Sequence, residues 1–294
     1  MKGKIIKGIA GFYYVHDGVG SIYQCRARGL FRKNSVKPLV GDDVEFTEVT
    51  DTDVEKAGNI DRILPRKSRL LRPAAANIDQ ALVIFAAKNP EPNLNLLDRF
   101  LVMMAIQDVP VVIGISKADL IGPEERERIA AIYRSSGCPV HFLSRVREEG
   151  LPELMTVLRG KTTVLAGPSG VGKSTLTNWL QPDAGMEVGE ISRKLGRGKN
   201  TTRHSEIFFV CADTFICDTP GFSSIEITGT DERELKAYFP EFAPYAPSCR
   251  FRECVHIGER DCAVQNAVSQ GIIPVSRYEN YRQIYQELKE RRKY

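Results

Sequence analysis

The chain has 294 residues, 42% of them hydrophobic and 27% charged, with a formal net charge of +4. That length allows two or three domains with cores of their own, and the near balance of charge excludes an argument for nucleic-acid binding from composition alone. The longest strongly apolar run, Ala81 to Ala87, is far short of a membrane span. No apolar segment follows the N-terminal lysines, so no signal peptide and a cytoplasmic location are expected.

Residues 1 to about 70 read as short strands separated by Gly and Asp turns: Ile5-Ile6, Gly11 to Val15, Ser21 to Cys25 and Asp43 to Phe46. No helical period runs through them, which suggests a small barrel or sandwich. An oligonucleotide-binding (OB) barrel fits the size and the basic stretch Arg26, Arg28, Arg32, Lys33 and Lys37, but the pattern also suits an SH3-like barrel.

The chain then changes character. Gln80 to Phe85, Val111 to Ile115, Val140 to Leu143 and Thr162 to Ala166 are strand candidates. Between them, Leu97, Phe100, Leu101 and Met104 form one helical face, and Pro123 can start a helix carrying Ile129, Ile132 and Tyr133. Alternating strands and helices argue for a parallel sheet covered by helices. After Phe222 the alternation stops, Pro240, Pro244 and Pro247 punctuate the chain, and Tyr278, Tyr281, Tyr285 and Leu288 mark a final helix. Domain boundaries are expected near residues 70 and 227, giving 1–70, 71–227 and 228–294.

Gly167-Pro168-Ser169-Gly170-Val171-Gly172-Lys173-Ser174 is a full phosphate-loop match after an apolar strand. Its glycines let backbone amides converge on phosphates, Lys173 reaches the terminal phosphates, and Ser174 can ligate magnesium. Thr175 is grouped with these nucleotide-binding residues. Asp218-Thr219-Pro220-Gly221 follows another apolar run: Asp218 can hold magnesium directly or through water, and the Gly221 amide can contact the terminal phosphate. Ser116-Lys117-Ala118-Asp119 also follows a strand candidate. The Asp119 carboxylate can accept both guanine N1 and N2 donors, which adenine lacks, and the Lys117 stem can lie along the base or the phosphate loop. Ser144 is a candidate second guanine contact.

The order of these motifs is informative. The guanine motif precedes the phosphate loop, the reverse of an ordinary small GTPase, so the central domain is expected to be a circularly permuted α/β P-loop GTPase. Between the phosphate loop and Asp218, the glycine-rich basic stretch Gly196 to Arg203 is the candidate switch, with Thr201 or Thr202 sensing the terminal phosphate.

Seven cysteines are present. Cys25, Cys138, Cys211 and Cys217 are scattered and read as buried thiols of a reduced protein. Cys249, Cys254, His256 and Cys262 are clustered. Three thiolates and one imidazole suit a closed tetrahedral zinc site with a structural role, and a proline-rich segment with little core of its own would gain folding energy from the metal.

Taken together, these residues resemble the ribosome small-subunit-dependent GTPase A family (RsgA, YjeQ/YloQ). Gly41-Asp42-Asp43-Val44, Leu64 to Leu70 and Asn77 to Gln80 carry the resemblance ahead of the permuted motif set and the zinc cluster. It implies an N-terminal OB barrel binding rRNA, a permuted GTPase core and a mainly helical zinc domain. It also implies a factor in late small-subunit maturation, released on GTP hydrolysis. GTP, GDP and the small ribosomal subunit are the expected partners, with no membrane and a monomeric state. A GTP-dependent binding module for another structured RNA is the alternative. Two departures from the family pattern stand out, the first bearing on guanine affinity and the second on catalysis. The family often carries Asn where this chain has Ser116. Where the family's switch commonly has His, this chain has Asn200, whose amide can orient water but cannot act as a base. Phe222 stands where other GTPases orient water with Gln, so slow intrinsic turnover is expected, with the missing group supplied by the ribosome.

Overall fold

The computed structural model describes residues 1–27, 37–50, 54–70, 74–181, 206–218 and 226–291. Strands β1 (Lys2–Ile9), β2 (Phe12–His16), β3 (Ile22–Ala27), β4 (Asp43–Val49) and β5 (Ala57–Ile63) close a barrel in the order β1-β2-β3-β5-β4. The sequence left two barrel types open. Five strands closed by a parallel β3–β5 pair and an antiparallel β1–β4 pair decide for the OB type. Ile5, Val15, Tyr23, Cys25, Val44, Phe46 and Ile60 fill it. Strand β5 escaped the sequence reading because its two buried positions are Gly58 and Ile60, leaving almost no apolar alternation. Gly58 is required there: a Cβ would stand 2.9 Å from Cys25 Sγ and 3.1 Å from the Thr47 carbonyl.

The stretches that carried the family resemblance meet where the barrel leads into the sheet. Arg66 donates to the buried Asp42 carboxylate at 2.6 and 2.8 Å. Asn77 donates to the Gly41 carbonyl and accepts from the Lys67 amide. The short strands β6 (Arg69–Leu70) and β7 (Ala75–Ala76) pair beside them. Gly41 adopts φ +94°, and a Cβ there would lie 2.0 Å from the Ala76 oxygen, so no side chain is tolerated.

The remaining elements, in chain order, are β8 (Gln80–Ala86), α1 (Leu94–Ile106), β9 (Val111–Ser116), α2 (Pro123–Tyr133), β10 (Val140–Phe142), α3 (Leu151–Leu158), β11 (Thr162–Ala166), α4 (Lys173–Leu180), β12 (Glu206–Cys211), β13 (Thr214–Asp218), α5 (Ala263–Ser269) and α6 (Val275–Arg291). One sheet runs β10-β9-β8-β11-β13-β12. The β10–β9 and β11–β13 pairs are parallel. Strand β12 departs from the expected parallel sheet. It runs antiparallel to β13 because the connection is a tight turn through Asp213, held at φ +55°, and so short a turn can join only antiparallel strands. Of the scattered cysteines, Cys25 and Cys217 are buried as expected, whereas Cys138 and Cys211 are only half-buried.

Two compact units emerge: Met1–Leu82 with Leu151–Phe222, and Val83–Gly150 with Ser223–Tyr294. The first holds the barrel and the phosphate loop. In the second, helices and turns after residue 226 share a core with α1: Val102 packs with Leu235, Phe239, Phe242, Tyr281 and Ile284. Within that core Arg277 of α6 is 1% exposed. It donates to Glu241 at 2.6 Å and to Asp98 of α1, and Asn280 donates to the other Asp98 oxygen at 2.6 Å. Burial opposes the guanidinium charge, but Asp98 and Glu241 outweigh it and raise the Arg277 pKa.

Removing one member of a buried charge cluster leaves the others uncompensated, at a cost of about 3–5 kcal/mol. Arg277→Leu is therefore expected to lower the unfolding free energy by about that amount in urea titration, while the exposed Arg250→Leu costs under about 1 kcal/mol. Equal costs for the two would remove the central role given to Arg277.

Candidate functional site

In the first unit, β11 runs directly into the phosphate loop. Gly167, Gly170 and Gly172 take φ of +139°, +78° and +95°, conformations that side chains disfavour. They turn the chain sharply before α4 starts at Lys173, with Gly172 as its N-cap. Lys173 Nζ donates to the Gly167 and Pro168 carbonyls at 2.9 and 2.7 Å, which keeps the ammonium over the loop. Ser174 and Thr175 are half-buried in the first turn of α4, and Val171 is buried beneath the loop. Ser169 and Gly170 form its exposed crest. Asp218 ends β13, opposite Leu165 of β11. The backbone thus brings Asp218 beside the strand that feeds the phosphate loop. Carboxylate and hydroxyl oxygens, the groups Asp218 and Ser174 carry, are the donor types that suit a hard cation such as magnesium.

The second unit carries the guanine motif. Strand β9 ends at Ser116, whose hydroxyl donates to the Phe85 carbonyl at 3.3 Å. Lys117 follows at φ +54°, a strained conformation for a side-chain-bearing residue, and its ammonium donates to the Asn89 carbonyl. Asp119 then lies in a short 3-10 turn. Ser144, fully buried just after β10, donates its hydroxyl to Asp119 Oδ1 at 2.6 Å. That hydroxyl is the main cause holding the Asp119 carboxyl below its usual range; burial pushes the other way, and Arg147 and Arg126 add to the lowering. Ser144 thus orients the Asp119 carboxylate and favours its ionised form.

Sequence reasoning missed the supports around it. Arg126 of α2 donates to the Ala118 carbonyl at 2.8 Å and pairs with Glu149. Glu149 in turn exchanges backbone hydrogen bonds with Ser144. Arg147 donates to the Asp119 carbonyl at 3.2 Å. These residues sit at no motif spacing, so the sequence offers no signal for them. Asn200, Thr201, Thr202, Gly221 and Phe222 lie outside the described residues, as do Arg28, Arg32 and Lys33.

Cys249, Cys254, His256 and Cys262 come together, with their four ligand atoms within 4.8 Å of one another. Cys249 Sγ lies 3.6 Å and Cys262 Sγ 3.4 Å from His256 Nδ1, and the two sulfurs are 3.9 Å apart. Tetrahedral zinc requires sulfur–sulfur and sulfur–nitrogen separations of about 3.8 and about 3.5 Å; Cys249, Cys262 and His256 match these, and with Cys254 within 4.8 Å the set could hold zinc. Burial lowers the His256 pKa to about 4 and keeps the ring neutral, the form that ligates metals. The cluster backbone is pinned from α6: Tyr278 donates to the His256 carbonyl at 2.6 Å and Tyr281 to the Val255 carbonyl. Lys236 donates to the Cys254 carbonyl, and Glu259 accepts the Val255, Ile257 and Gly258 amides.

A permuted P-loop sheet with an OB barrel and a Cys3His cluster defines a class, the circularly permuted GTPases. The RsgA GTPase family model matches residues 63–228, and the RsgA N-terminal domain model matches residues 2–55. Two relatives named small ribosomal subunit biogenesis GTPase RsgA, from Agathobacter rectalis and Geobacillus kaustophilus, are 52% and 47% identical. The first covers 100% of both chains; the second, 99% of this chain and 98% of the relative. The crystal structure of YloQ, described as a circularly permuted GTPase, superposes with a TM-score of 0.78 at 38% identity, covering 99% of this chain and 95% of that one. YjeQ from Thermotoga maritima gives 0.80 at 33% identity over 98% of each chain. The chain belongs to the RsgA GTPase family.

Two outcomes test the site. Because the Asp119 pKa is lowered, its carboxylate persists below about pH 4, the ordinary range, and GDP affinity should fall only beneath it. Ser144→Ala should move that loss to higher pH in calorimetric titrations; superimposable pH curves would contradict the orienting role. Stripping zinc with a chelator should lower the melting temperature by about 10 °C or more, restored by added zinc. A melting curve indifferent to chelation would show that the cluster holds no structural metal.

Proposed function

We propose that this protein hydrolyses GTP in step with late maturation of the small ribosomal subunit, binding the subunit and leaving it after hydrolysis. The observation that carries this reading is Asp119, oriented by the Ser144 hydroxyl, on a chain that also presents a complete phosphate loop. Full-length similarity to relatives named for small-subunit biogenesis supplies the partner. In this reading Asp119 accepts guanine N1 and N2, with Ser116, Lys117 and Ser144 framing the base. The amides from Gly167 to Thr175 and the Lys173 ammonium receive the phosphates and stabilise charge developing on the γ-phosphoryl group. Ser174 and Asp218 would hold magnesium, directly or through water, with Thr201 or Thr202 as a further ligand; the ion supplies charge neutralisation at the phosphate oxygens.

The Phe222 phenyl ring has no polar group with which to orient water, and Asn200 can do so only by hydrogen bonding. Low basal turnover follows. The barrel, with Arg28, Arg32 and Lys33, is assigned to rRNA. Boundaries at residues 70 and 227 separate it from the GTPase core and the zinc domain. The protein is assigned to the cytoplasm as a monomer; among the described residues no helix is long and apolar enough to cross a membrane.

Steady-state hydrolysis across a titration of purified small subunits, with ATP and large subunits as controls, tests the reading. Stimulation of GTP turnover by about tenfold or more, specific to small subunits, is expected. A rate unchanged by small subunits would remove the ribosomal assignment, and a preference for ATP would remove the guanine one.

A further inference from the structure

The barrel and the hairpin β12–β13 belong to the same compact unit, and they touch through side chains that no motif accounts for. His16, at the end of β2, is 3% exposed. Its ring stacks on Phe209 of β12 with centroids 4.4 Å apart and meets Phe215 of β13 edge-on at 5.8 Å. The Gly18 amide donates to His16 Nδ1 at 3.0 Å and fixes the ring orientation. Lys4 lies 5.6 Å from the Phe215 ring. Along the same hairpin, Lys7 of β1 donates to Glu206 at 2.8 Å. Glu206 is the residue directly opposite Asp218 in the β12–β13 ladder, and Phe209 is opposite Phe215. One end of the hairpin is therefore clasped by an aromatic stack and the other by an ion pair, at the rung that holds Asp218.

We propose that Lys7 and His16 are positioning residues for hydrolysis, through which the barrel sets the placement of Asp218. The geometry favours this over a passive domain contact because both clasps fall on one hairpin, and the charged one falls on the rung of the candidate magnesium residue. A barrel displaced by a bound partner would pull on that rung, since a paired strand moves as a unit with its ladder neighbour. The inference rests on the proposed role of Asp218.

The test is single-turnover GTP hydrolysis by the full-length protein, with and without small subunits, for wild type, Lys7→Glu, Glu206→Lys, the charge-swapped double variant and His16→Ala. Lys7→Glu is expected to reduce the rate at saturating GTP by about tenfold, equivalent to about 1.4 kcal/mol of transition-state stabilisation. GTP affinity and melting temperature should stay close to wild type, because the pair is half-exposed. The double variant should recover most of the rate. His16→Ala should reduce the rate in the same way, and His16→Phe should retain it by keeping the stack. Wild-type rates in both single charge variants, or a double variant no better than the singles, would overturn the proposal. A wild-type rate indifferent to subunits would count against the ribosomal reading alone, since the rescue comparison is made at whatever rate the wild type shows.

Discussion

Two parallel strand pairs set the geometry on which everything else rests. In one unit β11 and β13 run side by side, so the phosphate loop and Asp218 leave the sheet at adjacent strand ends. In the other, β9 and β10 run side by side, with Ile115 opposite Phe142, so the Asp119 turn and Ser144 leave at adjacent ends. Parallel pairing forces the carboxyl ends of neighbouring strands to the same edge. The order in which the chain visits the strands does not enter that constraint. A guanine motif encoded before its phosphate loop is therefore compatible with each half being assembled as an ordinary nucleotide-binding fold would assemble it.

Much of this was legible in the sequence where the information is local. The phosphate loop is a run of fixed spacing, and its glycines sit at the left-handed positions that only glycine takes easily. Cys249, Cys254, His256 and Cys262 lie close in sequence, so their convergence needs only a short loop. The tyrosine stripe of α6 was visible as a helical face, but its purpose was not. The hydroxyls of Tyr278 and Tyr281 cap backbone carbonyls of the cluster, and hydroxyl direction leaves no periodic trace.

What stayed hidden shares one physical property: it joins residues far apart in the chain. Asp98 and Arg277 carry no motif spacing that would single them out, yet they form a fully buried ion pair between two helices. Arg126 and Glu149 likewise sit at no motif spacing and brace the loops around Asp119. Strand β5 was hidden for a different reason, since a glycine fills a buried position where a pattern search expects an apolar side chain. In each case long-range packing overrode the local preference that sequence patterns record.

The Asp98 pairing also imposes a timetable on synthesis. Arg277 lies 179 residues beyond its carboxylate partner. During translation at roughly 5–20 residues per second, α1 emerges many seconds before the helix that neutralises it. Throughout that interval Asp98 lacks the guanidinium that neutralises it in the folded protein. The buried charge cluster of the second unit can therefore be completed only near the end of synthesis. Chains that stop before Arg277 would leave Asp98 and Glu241 without the cation that pairs them.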